Sequence, residues 1–224
     1  MSTQVMDDLR VTNGLVLPKT SGLGIKVDTA TPTYGFRDIT GVLWPDTTGG
    51  DAPLIAILRA PVRAHWFDTN DIMDCSFHIP HDYVPGTDLY IHVHWSHNNT
   101  EISGDIQFVL ASTYARRSVD GGASYIFNTA KTHTITYATA NIATTPQYSH
   151  RVNEIIISGP ADTATEYDRT TIEVDGVMGV SLTVPTIPTM TGGTTSRIPI
   201  LHCDLHYQST NIGTKNSASP FYGN

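Results

Sequence analysis

Seven consecutive residues, Leu89–Trp95, alternate strictly between apolar and polar side chains. Leu89, Ile91, Val93 and Trp95 fall on one side; Tyr90, His92 and His94 fall on the other. A period of two belongs to a β-strand with one buried face, and no helix satisfies it. The alternation returns in residues 72–79, where Met73, Cys75, Phe77 and Ile79 oppose Ile72, Asp74, Ser76 and His78. Further strand-like runs occupy residues 54–58, 106–114, 125–127, 133–137, 152–157, 170–174, 177–184 and 198–207. Turn residues separate them: Pro85-Gly86-Thr87-Asp88, Asn98-Asn99, Asp120-Gly121-Gly122, Gly159-Pro160, Asp175-Gly176 and Gly192-Gly193. Short strands with such punctuation predict an all-β, jelly-roll-like β-sandwich.

Residues 1–50 read differently. Gly and Pro break them repeatedly, and no helical period fits. They are expected to form an extended N-terminal arm that orders against a neighbour, with ordinary edge strands as the alternative. Residues 51–208 then form the sandwich, and residues 209–224 a polar tail ending in Pro220-Phe221-Tyr222. A chain of 224 residues buries a core without staples. Cys75 and Cys203 belong to no CxxC pattern and read as small core residues; whether they meet stays open.

The formal net charge is −8, and only 15% of residues are charged. An acidic chain repels a phosphate backbone, so direct nucleic-acid binding is not expected. Arg116-Arg117 is an isolated pair and reads as a strand end. No run of about 18 apolar residues predicts a membrane span. The first ten residues include Asp7 and Asp8 and no apolar stretch, so no secretion signal is expected there.

Histidine carries the chemistry to weigh. His92 and His94 share one strand face, and so do His202, Asp204 and His206. Two such strands side by side can present imidazoles and a carboxylate to one point, which suits zinc or iron. The candidate metal ligands are therefore His92, His94, Asp204 and His206, as in a cupin-like metal-binding protein. A hydrogen-bonded polar network is the favoured reading, because no acid follows His94 at ligand spacing and Glu101 lies beyond the Asn98-Asn99 pair. Motifs for nucleophilic catalysis, nucleotide binding and HExxH zinc sites are missing. Asp71/Asp74 and Asp162/Glu166 are the only carboxylate pairs to nominate for glycoside hydrolysis, and nothing singles them out. Tyr83, Tyr90, Trp95 and Tyr207 suit core packing more than a sugar groove. No catalytic residue and no cofactor are expected.

Three segments carry a resemblance. They are residues 77–95 (containing Pro80-His81-Asp82-Tyr83, Gly86-Thr87-Asp88 and His92-Val93-His94-Trp95), the opening Gly35-Phe36-Arg37-Asp38-Ile39, and the closing Asp204-Leu205-His206-Tyr207-Gln208. Together they resemble a family of tailed-phage and prophage virion structural proteins. An arginine-bearing element that precedes the last strand of that family has no counterpart in Gly179-Val180-Ser181-Leu182-Thr183. The resemblance implies a non-enzymatic virion component, made in the host bacterial cytoplasm. It implies foremost a capsid decoration (cement) protein, a homotrimer partnered by the major capsid protein. A fibre or neck component that binds host-surface glycan is the alternative.

Overall fold

The structure is a computed structural model and describes residues 35–45, 52–117, 126–137, 146–193 and 196–210. The chain divides into two units at residue 33, and all the described residues belong to the second. Fifteen strands are present among them: β1 (Gly35–Gly41), β2 (Trp44–Pro45), β3 (Leu54–Arg59), β4 (Val62–Phe67), β5 (Ile72–His78), β6 (Leu89–Trp95), β7 (Glu101–Ser103), β8 (Ile106–Ala115), β9 (Lys131–Tyr137), β10 (Arg151–Ile156), β11 (Ser158–Gly159), β12 (Tyr167–Asp168), β13 (Val177–Thr186), β14 (Thr189–Thr191) and β15 (Ile198–Ser209).

Two antiparallel sheets hold most of these strands. The first runs β10-β6-β15-β4-β3, with β1 also paired to β15; the second runs β2-β5-β13-β8-β9. Followed along the chain, β4, β6, β10 and β15 lie in the first sheet, and β5, β8, β9 and β13 in the second. The order β4-β15-β6-β10 over β5-β13-β8-β9 is that of two nested Greek keys, a jelly-roll sandwich.

Alternation supplies the core. Leu89, Ile91, Val93 and Trp95 of β6 are fully buried, as are Phe108 and Leu110 of β8 and Met178 and Leu182 of β13. Across the two sheets, Trp95 meets Phe108 with ring centroids 6.0 Å apart. Cys75 and Cys203 are both buried free thiols. They meet in the core, and contact with Cys75 together with burial pushes the Cys203 thiol up. At the turn before β6, Thr87 N donates to Val84 O at 3.2 Å. Gly86 takes φ +81° there, a left-handed conformation that favours glycine.

Several expectations are corrected. For residues 35–45 the alternative of edge strands holds: β1 pairs with β15 from Gly35↔Ser209 to Gly41↔Cys203, and β2 pairs with β5. Residues 1–34 and 46–50, the rest of the expected arm, lie outside the described residues. Residues 169–171 form a single 3-10 turn, where a strand was expected at 170–174. Asp168 explains it: its Oδ1 accepts from Thr170 N at 2.8 Å and from Thr170 Oγ1 at 2.7 Å, a local bond that displaces a ladder. Asn98 and Asn99 are not a surface turn but buried polar residues. Ile126 and Phe127 join no strand, and residues 118–125 and 211–224 lie outside the description.

Candidate functional site

The site lies on the outer face of the first sheet, and strand register builds it. A bulge in β15 between Ile200 and His202 switches the strand's phase. Ile198 and Ile200 face the core before the bulge; Cys203, Leu205 and Tyr207 face it afterwards. His202, Asp204 and His206 consequently point outward. Register then sets His202 opposite His94, Asp204 opposite His92, and His206 opposite Tyr90. On the far side of β6, β10 sets Glu154 opposite His92. On the far side of β15, β1 sets Asp38 opposite His206. Directly opposed side chains in a sheet are near enough to touch, so five imidazoles and three carboxylates gather once His150 is counted.

Asp204 is the centre, only 3% exposed. Its Oδ1 lies 3.2 Å from His92 Nδ1, and its Oδ2 lies 2.5 Å from His94 Nε2 and 3.9 Å from His202 Nε2. Despite these separations, His94 Nε2 and Asp204 Oδ1 have no hydrogen-bond partner among the described residues. The angles, not the distances, fail. The other ring nitrogens are engaged: His92 Nε2 with Glu154 Oε2 at 3.1 Å, and His94 Nδ1 with His150 Nε2 at 2.8 Å. His94 also stacks on His202, with centroids 4.1 Å apart. Burial, reinforced by His94, pushes His150 and His202 below the ordinary imidazole value.

The structure thus brings together all four sequence-predicted candidates and sorts them. His92, His94 and Asp204 offer donor atoms within 4.8 Å of one another. His206 falls in a second such group with His92 and Asp38; its Nδ1 bonds Asp38 Oδ1 at 2.5 Å, and its ring stacks on Phe36 at 4.6 Å. Sequence reasoning missed His150, Glu154 and Asp38 as members. Residues 152–157 were readable as a strand, but not that β10 would pair with β6.

The remaining nominees behave otherwise. Asp162 pairs with Lys131 Nζ at 2.9 Å and lines a cleft with Tyr114 and Arg116, without Glu166. That cleft shares no residue with the histidine cluster. Asp71 accepts from Asp68 N at 2.7 Å, and Asp74 is exposed on β5. Tyr83, Trp95 and Tyr207 are buried, as core packing requires. Arg117 bonds Asp175 at 2.8 Å, and His81 and His78 converge on the same carboxylate at 2.9 and 3.0 Å. Burial opposes the charge on Asp175, yet these donors hold its carboxyl below the usual range.

Fold and cluster together define a jelly-roll sandwich with a histidine–carboxylate face. No family model matches the chain, and no curated protein matches it. Among solved structures it is similar to a carbohydrate-binding module of the β-sandwich superfamily, at 10% identity and a TM-score of 0.29. That match covers 78% of this chain, and the chain spans 58% of the other's length.

Proposed function

We propose that the chain is a non-enzymatic structural subunit of a tailed-phage particle, a capsid decoration protein that works by the contacts it makes with neighbouring virion subunits. One observation supports this reading most. The β3–β4 hairpin ends the first sheet, and β3 pairs only with β4 among the described residues. Leu54, Ile55 and Ile57 on β3 are 58%, 60% and 53% exposed, and Val62 on β4 is 46% exposed. Leu54 lies on one face of β3, Ile55 and Ile57 on the other, so both faces of this edge strand carry exposed apolar side chains, while Ala64 and Trp66 of β4 behind it are buried. A free strand edge with apolar side chains is a template for pairing with another chain. Natural monomers blunt such edges with charge; here β3 carries only Arg59 at its end. An assembled particle covers the edge by adding a strand or an apolar surface from a neighbour. The low charge content fits a surface that ends against other subunits. Seating at several sites at once multiplies a weak single contact.

The test is to change Ile55 and Ile57 together to Asp. Both side chains are exposed, so the melting temperature should move by only a few degrees. Binding to undecorated heads, followed by co-sedimentation, should be lost, and the trimer should dissociate in light scattering. A double variant that seats like the wild type refutes the reading.

A further inference from the structure

We propose that His92 Nδ1, His94 Nε2 and Asp204 hold a zinc-class divalent cation on the outer face of the first sheet. The inference stands apart from the assembly role, which uses a different edge of the sandwich.

Geometry carries it. In a hydrogen bond the acceptor lies on the N–H axis. In a metal site the ion occupies that axis and the other ligands flank it. His94 Nε2 and Asp204 Oδ2 are 2.5 Å apart, and His92 Nδ1 and Asp204 Oδ1 are 3.2 Å apart. Even so, His94 Nε2 and Asp204 Oδ1 are buried without a hydrogen-bond partner among the described residues. Zinc–nitrogen and zinc–oxygen bonds of about 2.0–2.2 Å place tetrahedral ligand atoms about 3.3 Å apart. The separation from His92 Nδ1 to Oδ1 already fits, and the one from His94 Nε2 to Oδ2 must open by about 0.8 Å to reach that spacing.

The second layer sets the tautomers. Glu154 Oε2, 3.1 Å from His92 Nε2, accepts that N–H and leaves Nδ1 with its lone pair toward Asp204. A carboxylate behind a histidine is the usual support of a metal ligand. We assign His150 Nε2, 2.8 Å from His94 Nδ1, as the acceptor of that N–H, the tautomer in which His94 Nε2 keeps its lone pair. Three electron-pair donors then converge with no hydrogen between them. A carboxylate that is 3% exposed needs a counter-charge, and its ion-pair neighbours among the described residues are His92, His94 and His202, with no Lys or Arg. A cation at the convergence point supplies one. Two imidazoles and one carboxylate are a borderline donor set, which favours zinc over magnesium or calcium. Water or a rotated His202 completes the fourth position. The ligands stand on paired strands, so little ordering remains to be done on binding.

The experiment uses untagged full-length protein, stripped with chelator and titrated with zinc chloride by calorimetry. One zinc per chain with submicromolar affinity, and a melt that rises on zinc addition, is the expected result. His94→Gln and Asp204→Asn should each weaken binding at least 100-fold. Glu154→Gln should weaken it by about 10- to 100-fold through the tautomer it sets. His78→Gln, on the opposite sheet, should leave it unchanged. If Asp204→Asn does not fold, His94→Gln carries the test, with circular dichroism confirming its sheet content. Absence of stoichiometric uptake by the wild type, or equal binding by His94→Gln, overturns the proposal. Either failure leaves the Ile55/Ile57 result untouched.

Discussion

Replacing Trp95 with Ala tests the packing of the whole sandwich. Trp95 is fully buried and heads the largest buried side chains. Its ring sits 6.0 Å from Phe108 and 5.9 Å from Tyr137, centroid to centroid. Truncating a buried Trp to Ala costs about 3–5 kcal/mol in lost transfer energy and cavity. A second loss adds to it. Trp95 Nε1 donates to Asn153 Oδ1 at 2.7 Å, and Asn153 is itself buried. An orphaned buried acceptor costs about 1–3 kcal/mol. The two losses overlap where water enters the vacated space, so a total of about 4–6 kcal/mol is expected. Trp95→Phe keeps most of the apolar area, so a smaller cavity adds to the orphaned bond, and about 2–4 kcal/mol is expected. Asn153→Leu attacks the same bond from the other side. The double variant Trp95→Phe/Asn153→Leu leaves neither partner stranded, so its cost should fall short of the sum by about 1–2 kcal/mol. Equilibrium unfolding in guanidinium, with an unchanged m-value, reads all four quantities. A Trp95→Ala cost below about 1.5 kcal/mol would refute the buried phase of β6.

Three further outcomes follow from particular groups. Burial, with Lys131 beside it, pushes His133 down to about 4 from an ordinary 6.5. The unfolded chain therefore takes up the proton first: the contribution is full above about pH 6.5, shrinks as pH falls toward 4, and is level below that. It amounts to at most about 3 kcal/mol, less where water screens the ring, and His133→Gln should flatten the stability slope within that window; an unaltered slope refutes it. Cys75 and Cys203 should resist thiol reagents in the native protein and react together in denaturant, because both are buried and Cys203 is pushed up; rapid native labelling would contradict the packing. Gly176→Ala would place Cβ 2.5 Å from Tyr114 Oη, and a thermal melt should register about 1–3 kcal/mol of overpacking.

How much was legible follows from what sequence encodes locally. Strands with one buried face announced themselves, and β5 and β6 bury the side that alternation named. Residues 169–171 misled because the local bonds of Asp168 outweigh the strand preference of their threonines. The candidate site was legible by halves. His92/His94 and His202/Asp204/His206 were readable as same-face sets, since each lies within one strand. That β6 and β15 would be neighbours is a property of the jelly-roll crossover, which no local pattern states. Glu154 and Asp38 come from strands that flank this pair, one on either side, so they were invisible for the same reason. The bulge between Ile200 and His202 was equally silent, although it decides which side of β15 faces the core.

The segments that carry the virion resemblance meet in space, and their contacts separate scaffold from contact surface. Asp82 of the central segment accepts from Arg37 of the opening segment at 3.1 Å and from Tyr207 Oη of the closing segment at 3.0 Å. Asp38 and His206 make the same link one residue along, and Ser209 Oγ closes on Asp82 at 2.5 Å. Burial, and then Asp82, push the Tyr207 phenol up to about 12, so it stays a donor at any physiological pH. These bonds fasten β1 and the loop after β5 onto β15. They explain why residues of those types stand at those positions without appeal to a partner: the fold itself uses them. The groups the fold leaves bare lie elsewhere: on the β3 hairpin, Ile55 and Ile57 are exposed beyond half. Within the resembling segments, His94 Nε2 and Asp204 Oδ1 are the buried atoms that the scaffold does not use. Because the inner face of β6 supplies the packing energy, the outer face can carry a polar cluster that folding alone would not select.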